Sequence, residues 1–232
     1  MTGAELPRTI LFDLYGTLVP GGSRLQRDTL AFQMAEILEV DHVMFADIVR
    51  ESFDARVRGT MGGLTETISQ LAKRAGGSPS TRQITLAADR RLIFAKELLQ
   101  NRYSESNVME LKAQCHQLGI ITDCSSETPM SWSSSWLHDV VDAVAFSCEL
   151  GIRKPDPAMY LAVTRRLNVA PEGCLFIGDG DSNELDGARA LGMSTTMLID
   201  PYLLESDRLG GVSRWSGDTI TSITELVTQA IE

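Results

Sequence analysis

The chain has 232 residues, 43% of them hydrophobic and 22% charged, with a formal net charge of −10. These are the proportions of a globular protein with enough chain for one large or two modest domains. The acidic balance argues against non-specific binding to a nucleic-acid backbone, and the lack of an apolar run of about eighteen residues argues against a membrane span. Residues 1–8 lack the apolar core of a signal peptide, and Cys115, Cys124, Cys148 and Cys174 form neither a C-x-x-C pair nor a disulfide framework. A cytoplasmic protein with reduced thiols is expected.

The first apolar run, Thr9-Ile10-Leu11-Phe12, is short like a buried parallel strand and stops at Asp13, after which Gly16 permits a tight turn. Pro20-Gly21-Gly22-Ser23 reads as a loop. Helical periodicity follows. Leu25, Leu30, Phe32, Met34, Ile37 and Leu38 predict one helix. Val43, Phe45, Ile48, Val49, Phe53 and Val57 predict a second, Leu64, Ile68 and Leu71 a third, and residues 80–100 a fourth. Residues 22–101 therefore read as an all-helical insertion, with residues 1–21 and 102–232 forming the main domain.

Beyond Tyr103, strand and helix alternate. The pattern predicts a helix over 105–118, a strand over 119–123, a short helix through 136–140 and a strand over 143–146. A helix opened by Pro157 runs to Leu167, since proline is tolerated in a first turn. A strand over 174–177 leads into Gly178-Asp179. A helix over 185–191, a strand over 195–199 and a terminal helix over 220–231 complete the series. Short strands joined by helices imply an α/β fold, with a mostly parallel sheet covered on both faces.

Four polar groups lie at or just beyond strand ends: Asp13; Thr122 with Asp123; Lys154 in Gly151-Ile152-Arg153-Lys154-Pro155; and Asp179 in Gly178-Asp179-Gly180-Asp181-Ser182-Asn183-Glu184. In a parallel sheet these ends converge on one edge, where ligands bind. A carboxylate, a hydroxyl, a cation and a second acid cluster suit phosphoryl transfer. Asp13 is the expected nucleophile, Thr122 and Lys154 the expected holders of the phosphoryl oxygens, and Asp13 with Asp179 the expected oxygen ligands of Mg²⁺.

On these residues the chain resembles the haloacid dehalogenase-like hydrolase superfamily, in the branch with a helical cap inserted after the first motif. The first motif is Asp13-Leu14-Tyr15-Gly16-Thr17-Leu18. Thr122 stands for the second, Lys154 before Pro155-Asp156-Pro157 for the third, and Gly178-Asp179 with Glu184 for the fourth. The resemblance implies a Rossmann-like doubly wound core with an all-α cap, an aspartyl-phosphate intermediate on Asp13, and Mg²⁺. By the resemblance the metal is held by Asp13, the Tyr15 carbonyl and Asp179, with Glu184 supporting it through water. Expected substrate contacts are Gly16, Thr17, Asp123 and, reaching down from the insertion, Arg56 and Arg58. A small anionic substrate and a monomer or homodimer are expected.

The sequence departs from the family's phosphatases at Tyr15, where they carry a second aspartate acting as general acid and base. A phenol with an ordinary pKa of about 10 is poorly tuned to shuttle protons near neutral pH, and such catalysis is worth about 10²–10⁴-fold. Alkyl phosphates suffer most from this loss, acyl and aryl phosphates less. The same D-x-Y-G-T form occurs in the family's L-2-haloacid dehalogenases, in which the aspartate attacks carbon without a metal. Gly178-Asp179 and Glu184, and Asp123 after Thr122, differ from the Ser-Ser-Asn and Ser-Asn segments of those enzymes. Metal-dependent phosphohydrolysis is the leading expectation, with carbon–halogen hydrolysis and a non-catalytic binding role as alternatives. Asp181 and Asp186 are expected in solvent, His42, His116 and His138 at the surface or in packing, and Cys124 as an unreactive thiol. Trp132, Trp136 and Trp215 are assigned to neither core nor pocket.

Overall fold

The computed structural model describes residues 7–114, 116–199 and 215–229. Its six strands are β1 (Thr9–Phe12), β2 (Gln117–Thr122), β3 (Ala143–Phe146), β4 (Cys174–Gly178), β5 (Ser194–Leu198) and β6 (Asp218–Ile220). They form one parallel sheet in the order β3-β2-β1-β4-β5-β6. β1 is central, and the strand order reverses between it and β4. That is the switch point at which the carboxyl ends of a doubly wound sheet open a crevice for ligands.

Alternate residues of the central strands enter two different cores, as the two-residue strand period requires. Ile10, Phe12, Ile120, Leu175 and Ile177 pack with Val108 and Leu111 of α6 (Glu105–Ala113), with Leu226 of α11 (Thr224–Gln229), and with Trp132 and Trp136. Leu11, Ile121 and Phe176 pack on the opposite face with Met159, Tyr160 and Val163 of α9 (Pro157–Leu167) and Leu185 and Ala188 of α10 (Glu184–Ala190). Burial on both faces explains why these strands read as continuous apolar runs.

Between β1 and β2 lie α1 (Arg24–Leu38), α2 (His42–Glu51), α3 (Phe53–Val57), α4 (Leu64–Arg74) and α5 (Thr81–Leu99). They bury a third cluster of their own, including Met34, Leu38, Phe45, Ile68, Leu71 and Ala87. Capping boxes start α1 at Ser23 and α5 at Ser80, each satisfying two otherwise orphaned donors. The chain's two crossings between the sheet and these helices lie side by side. Tyr103 Oη donates to the Thr17 carbonyl and Ser104 Oγ to the Leu18 carbonyl, both at 2.7 Å. Trp136 Nε1 holds the Asn101 carbonyl at 2.8 Å. Arg27 of α1 donates to the Gly21 and Gly22 carbonyls and so braces the loop that leads into the helices.

Several boundaries differ from the sequence reading. The helix expected over 43–57 breaks at Ser52, which begins α3 as a separate turn. The helix expected over 105–118 ends at Ala113, because Gln117 and Leu118 pair with Thr9 and Ile10 in the sheet. The region around Trp136 holds α7 (Glu127–Ser131) and two 3₁₀ turns, and α8 (Ser147–Leu150) follows β3. The terminal helix starts at Thr224, since residues 218–220 form β6 against β5 and Glu225 Oε1 caps Thr221 and Ser222. The rest of that expected helix, residues 230–231, and Cys115 lie outside the described residues. Among the described residues no helix is long and apolar enough to cross a membrane.

Candidate active site

Asp13 follows β1 directly, its N–H donating to the Ile177 carbonyl of β4 at 2.8 Å. Its carboxylate is thereby held at the switch point. The chain then turns back on itself: Gly16 N–H bonds the Val19 carbonyl at 2.7 Å, and Tyr15 bridges Val19. Gly16 has φ +86°, and a Cβ there would stand 2.5 Å from Asp179 Oδ2. Only glycine allows both the left-handed turn and the close approach of Asp179.

The center of the site is a buried charge cluster. Lys154 Nζ donates to Asp13 Oδ1 and, at 2.5 Å, to Glu184 Oε2. Thr17 Oγ1 donates to Asp13 Oδ2 at 3.3 Å, and Gly180 N–H to Glu184 Oε1 at 3.0 Å. Tyr160 Oη holds the Glu184 carbonyl at 2.7 Å. A Cβ on Gly178 would strike Glu184 Oε1 at 2.0 Å, so that glycine is what admits the glutamate. Asp13, Lys154, Asp179 and Glu184 are all nearly inaccessible to solvent.

Three carboxylates against one ammonium leave this cluster short of positive charge. Burial raises the pKa of Asp13, with Lys154 pulling against it, and raises that of Glu184 well above the carboxylate range, with the Asp13 and Asp179 charges adding. Burial works against the Lys154 ammonium too, yet Asp13, Glu184 and Asp123 outweigh it and hold the lysine well above its ordinary value. Carboxylate oxygens of Asp13, Asp179 and Glu184 lie within 4.8 Å of one another. This all-oxygen, electron-rich donor set fits a hard divalent cation such as Mg²⁺. Glu184 holds Gly180 N–H and Lys154 on its two oxygens, and Asp13 holds Lys154 and Thr17 on its own, so an ion would share these carboxylates with the donors already on them.

At the end of β2, Thr122 Oγ1 is buried and has no hydrogen-bond partner among the described residues. A buried hydroxyl without a partner is uncommon enough to require a reason. Asp123, next in sequence, turns to the third-motif loop. Its Oδ1 accepts from Lys154 N–H at 2.9 Å and its Oδ2 from Arg153 Nε at 3.2 Å. Arg153 goes on to Ser182 Oγ at 2.7 Å and to Asp54 Oδ1 of α3 at 3.2 Å. Asp123 thus clamps the loop that carries Lys154, although it also borders the cavity.

A cavity of about 400 Å³ lies between the strand ends and the helices, bordered by Asp13, Tyr15, Lys154 and Asp179 below and by Arg56, Arg91 and Phe94 above. Tyr15 shares a 3.0 Å hydrogen bond with the Thr128 hydroxyl of α7. Burial pushes its phenol further above the ordinary value, so it stays neutral. Arg56 reaches the cavity. Arg58 does not border it and pairs with Asp54 at 3.0 Å on the surface. Asp181 borders the cavity, whereas Asp186 faces Arg189 in solvent. Trp132 and Trp136 are core residues, and Trp215 packs under Arg189. His116 is buried with Nδ1 against the Pro7 carbonyl, while His42 stacks on Phe32 and His138 sits beside Asp139.

Among the cavity residues without a signal in the motifs are Arg91, Ser125 and Glu127. Arg91 donates to Glu127 Oε1 at 2.8 Å, with both side chains 12% exposed, and Glu127 Oε2 is buried without a donor among the described residues. One signal existed. Arg91 lies on the strip of α5 formed by Ala87, Ala88 and Ala95, where small side chains leave room for a charge to turn inward.

The chain is 24% identical over 203 residues to the glyceraldehyde 3-phosphate phosphatase of Methanopyrus kandleri, covering 82% of this chain and 83% of that one. The solved L-2-haloacid dehalogenase of Xanthobacter autotrophicus, with chloropropionic acid covalently bound, superposes with a TM-score of 0.64 at 16% identity, over 96% of this chain and 98% of that one. The HAD phosphatase of Thermococcus onnurineus does so with a TM-score of 0.61 at 18% identity, over 95% and 96%. At such identities the likeness to the solved structures speaks for the fold and not the chemistry. The family model for haloacid dehalogenase-like hydrolases matches residues 7–192, spanning β1 through α10 and all four candidate strand-end groups. The chain belongs to the haloacid dehalogenase-like hydrolases.

Proposed function

We propose that the protein is a Mg²⁺-dependent phosphohydrolase acting on a small phosphorylated metabolite, with residues 22–101 serving as a helical cap over the site. The observation that carries this reading is the buried, partnerless Thr122 hydroxyl at the strand end beside β1, where Asp13 is paired with Lys154. A phosphoryl oxygen supplies the partner that Thr122 lacks. The phosphatase name of the Methanopyrus relative agrees with that chemistry.

In this mechanism an Asp13 carboxylate oxygen attacks phosphorus in line, the bond to the leaving oxygen breaks, and water then cleaves the aspartyl-phosphate to inorganic phosphate. Thr17 and Lys154 orient the Asp13 carboxylate. Lys154 and Thr122 receive the phosphoryl oxygens as charge redistributes. Asp13, Asp179 and the Tyr15 carbonyl would hold Mg²⁺, which supplies positive charge against the repulsion between an anionic nucleophile and an anionic substrate. Glu184 positions Lys154 from below. Gly16 makes room for Asp179, Asp123 fixes the Lys154 loop, and Arg58 stays outside. Tyr15 is neutral and tied to Thr128, so it is a poor proton shuttle, and acyl and aryl phosphates are the favored leaving groups. The free thiols Cys124, Cys148 and Cys174 suit a reducing, cytoplasmic setting.

The test is phosphate release from acetyl phosphate and an aryl phosphate, with and without Mg²⁺, beside Asp13→Asn. Mg²⁺-dependent release that disappears in the variant supports the reading. Halide release from a 2-haloacid without metal, and no phosphate release, would replace it with carbon–halogen hydrolysis, which Tyr15 favors. Neither activity would leave a binding role.

A further inference from the structure

The helical wall of the cavity carries a charge that the phosphoryl chemistry does not use. Arg56 is 8% exposed and borders the cavity. Its Nε donates to Ser52 Oγ at 3.0 Å, one terminal nitrogen to Ser125 Oγ at 2.9 Å and the other to the Val49 carbonyl at 3.1 Å. All three acceptors are neutral, and a guanidinium has five N–H donors. Among the described residues Arg56 has no carboxylate in ion-pair contact. Glu127 Oε1 accepts from Arg91 at 2.8 Å and from the Ser125 hydroxyl at 3.1 Å, so Arg56 reaches this carboxylate only through Ser125. Two guanidiniums therefore face one carboxylate, and this wall is left with one positive charge unmatched.

Leaving a buried charge unmatched is expensive, and natural structures rarely do so without a counter-ion. Burial and the nearby Arg91 charge pull the Arg56 pKa down to about 9. At neutral pH the guanidinium keeps its proton, so it remains a cation short of an anion.

We infer that Arg56, backed by Arg91 and Ser125, receives a second anionic group of the substrate while its phosphoryl group lies on Asp13, Thr122 and Lys154. The substrate class is a phosphorylated carboxylic acid or a bisphosphate, not a phosphate monoester with a neutral remainder. Phosphate and carboxylate share the planar, two-oxygen edge that a guanidinium recognizes. The cavity, about 400 Å³, holds a metabolite of that kind. This inference rests on the phosphohydrolase reading and adds the identity of the other end of the substrate.

Matched pairs of probes test it. 3-Phosphoglycerate is compared with glycerol 1-phosphate, and propane-1,3-diol bisphosphate with its monophosphate. The wild type should favor the two-anion member of at least one pair by about 10- to 100-fold in kcat/KM, the worth of one hydrogen bond to a charged group. Whichever pair shows the larger ratio identifies carboxylate or phosphate. Arg56→Gln should collapse that ratio, chiefly through KM, and Arg56→Lys should keep part of it. Equal treatment of both pairs by the wild type, which needs no variant, overturns the inference. So does an Arg56→Gln protein, folded by circular dichroism, that loses all substrates in the same proportion, since that is the behavior of a mere tie between α3 and Ser125. If no phosphate is released from these alkyl probes, nor from acetyl phosphate or an aryl phosphate, the phosphohydrolase reading has failed by itself. Calorimetric binding of the same pairs then decides, with equal or no binding counting against the second-anion site.

Discussion

The floor and the wall of the cavity solve opposite electrostatic problems. On the floor, Asp13, Asp179 and Glu184 crowd around a single ammonium, and the deficit is positive charge. On the wall, Arg56 and Arg91 share Glu127, and the deficit is negative charge. A site built only to be stable would have balanced each end locally. Under the proposed function each imbalance matches what its end receives: a cation and a phosphoryl group below, an anion above. On that reading labor is divided too, with chemistry on rigid strand ends and recognition on the helices that cover them.

The strongest test of the floor is Asp13→Asn, which should lower phosphate release from an aryl phosphate by about three orders of magnitude or more while circular dichroism stays native. Next is Lys154→Met. It leaves Asp13 and Glu184 as uncompensated buried acids and should cost about 3–5 kcal/mol in urea unfolding, the price of breaking a buried pair. Were Lys154→Met neutral, the floor would not be short of positive charge as described. Mg²⁺ at about one hundred times its dissociation constant should then stabilize the wild type by about 2.7 kcal/mol, an increment that Asp179→Asn should largely erase in thermal melts. Tyr15→Phe should be milder, costing about 1 kcal/mol for the lost bond to Thr128.

The smallest effect belongs to the wall. Arg91 and Arg56 outweigh burial and hold the Glu127 carboxyl below its ordinary value of 4.5. The unfolded chain therefore takes up the proton first, and the contribution of this pair is present above that pH and lost as the pH falls through and below it. Glu127→Gln should flatten this part of the acid limb of stability, measured by denaturant midpoints between about pH 6 and pH 3. An unchanged limb would mean that Glu127 does little to balance the guanidiniums.

The floor was legible in the sequence and the wall was not, for a physical reason. Asp13, Thr122, Lys154 and Asp179 sit at the ends of buried strands, and a parallel sheet brings such ends together whatever the intervening chain does. Glu184 sits one helical start beyond Asp179, but its grip on Lys154 depends on the gap left by Gly178 and had no linear signal. Ser125, Glu127 and Arg91 meet only because α5 packs on α7, a contact between residues 36 apart that no local period encodes. Arg56 and Arg58 are alike in the sequence, and nothing there separates the inward arginine from the outward one. β6 went unread because three residues are too short to show a period and their partner, β5, lies some twenty residues away.

The paired crossings at Thr17–Leu18 and Tyr103–Ser104 have a mechanical consequence. Two attachment points fixed side by side behave as the pins of a door. They permit rotation about the line joining them and resist translation. A rotation about that line would have to break the ties Asp54–Arg153, Arg56–Ser125 and Arg91–Glu127.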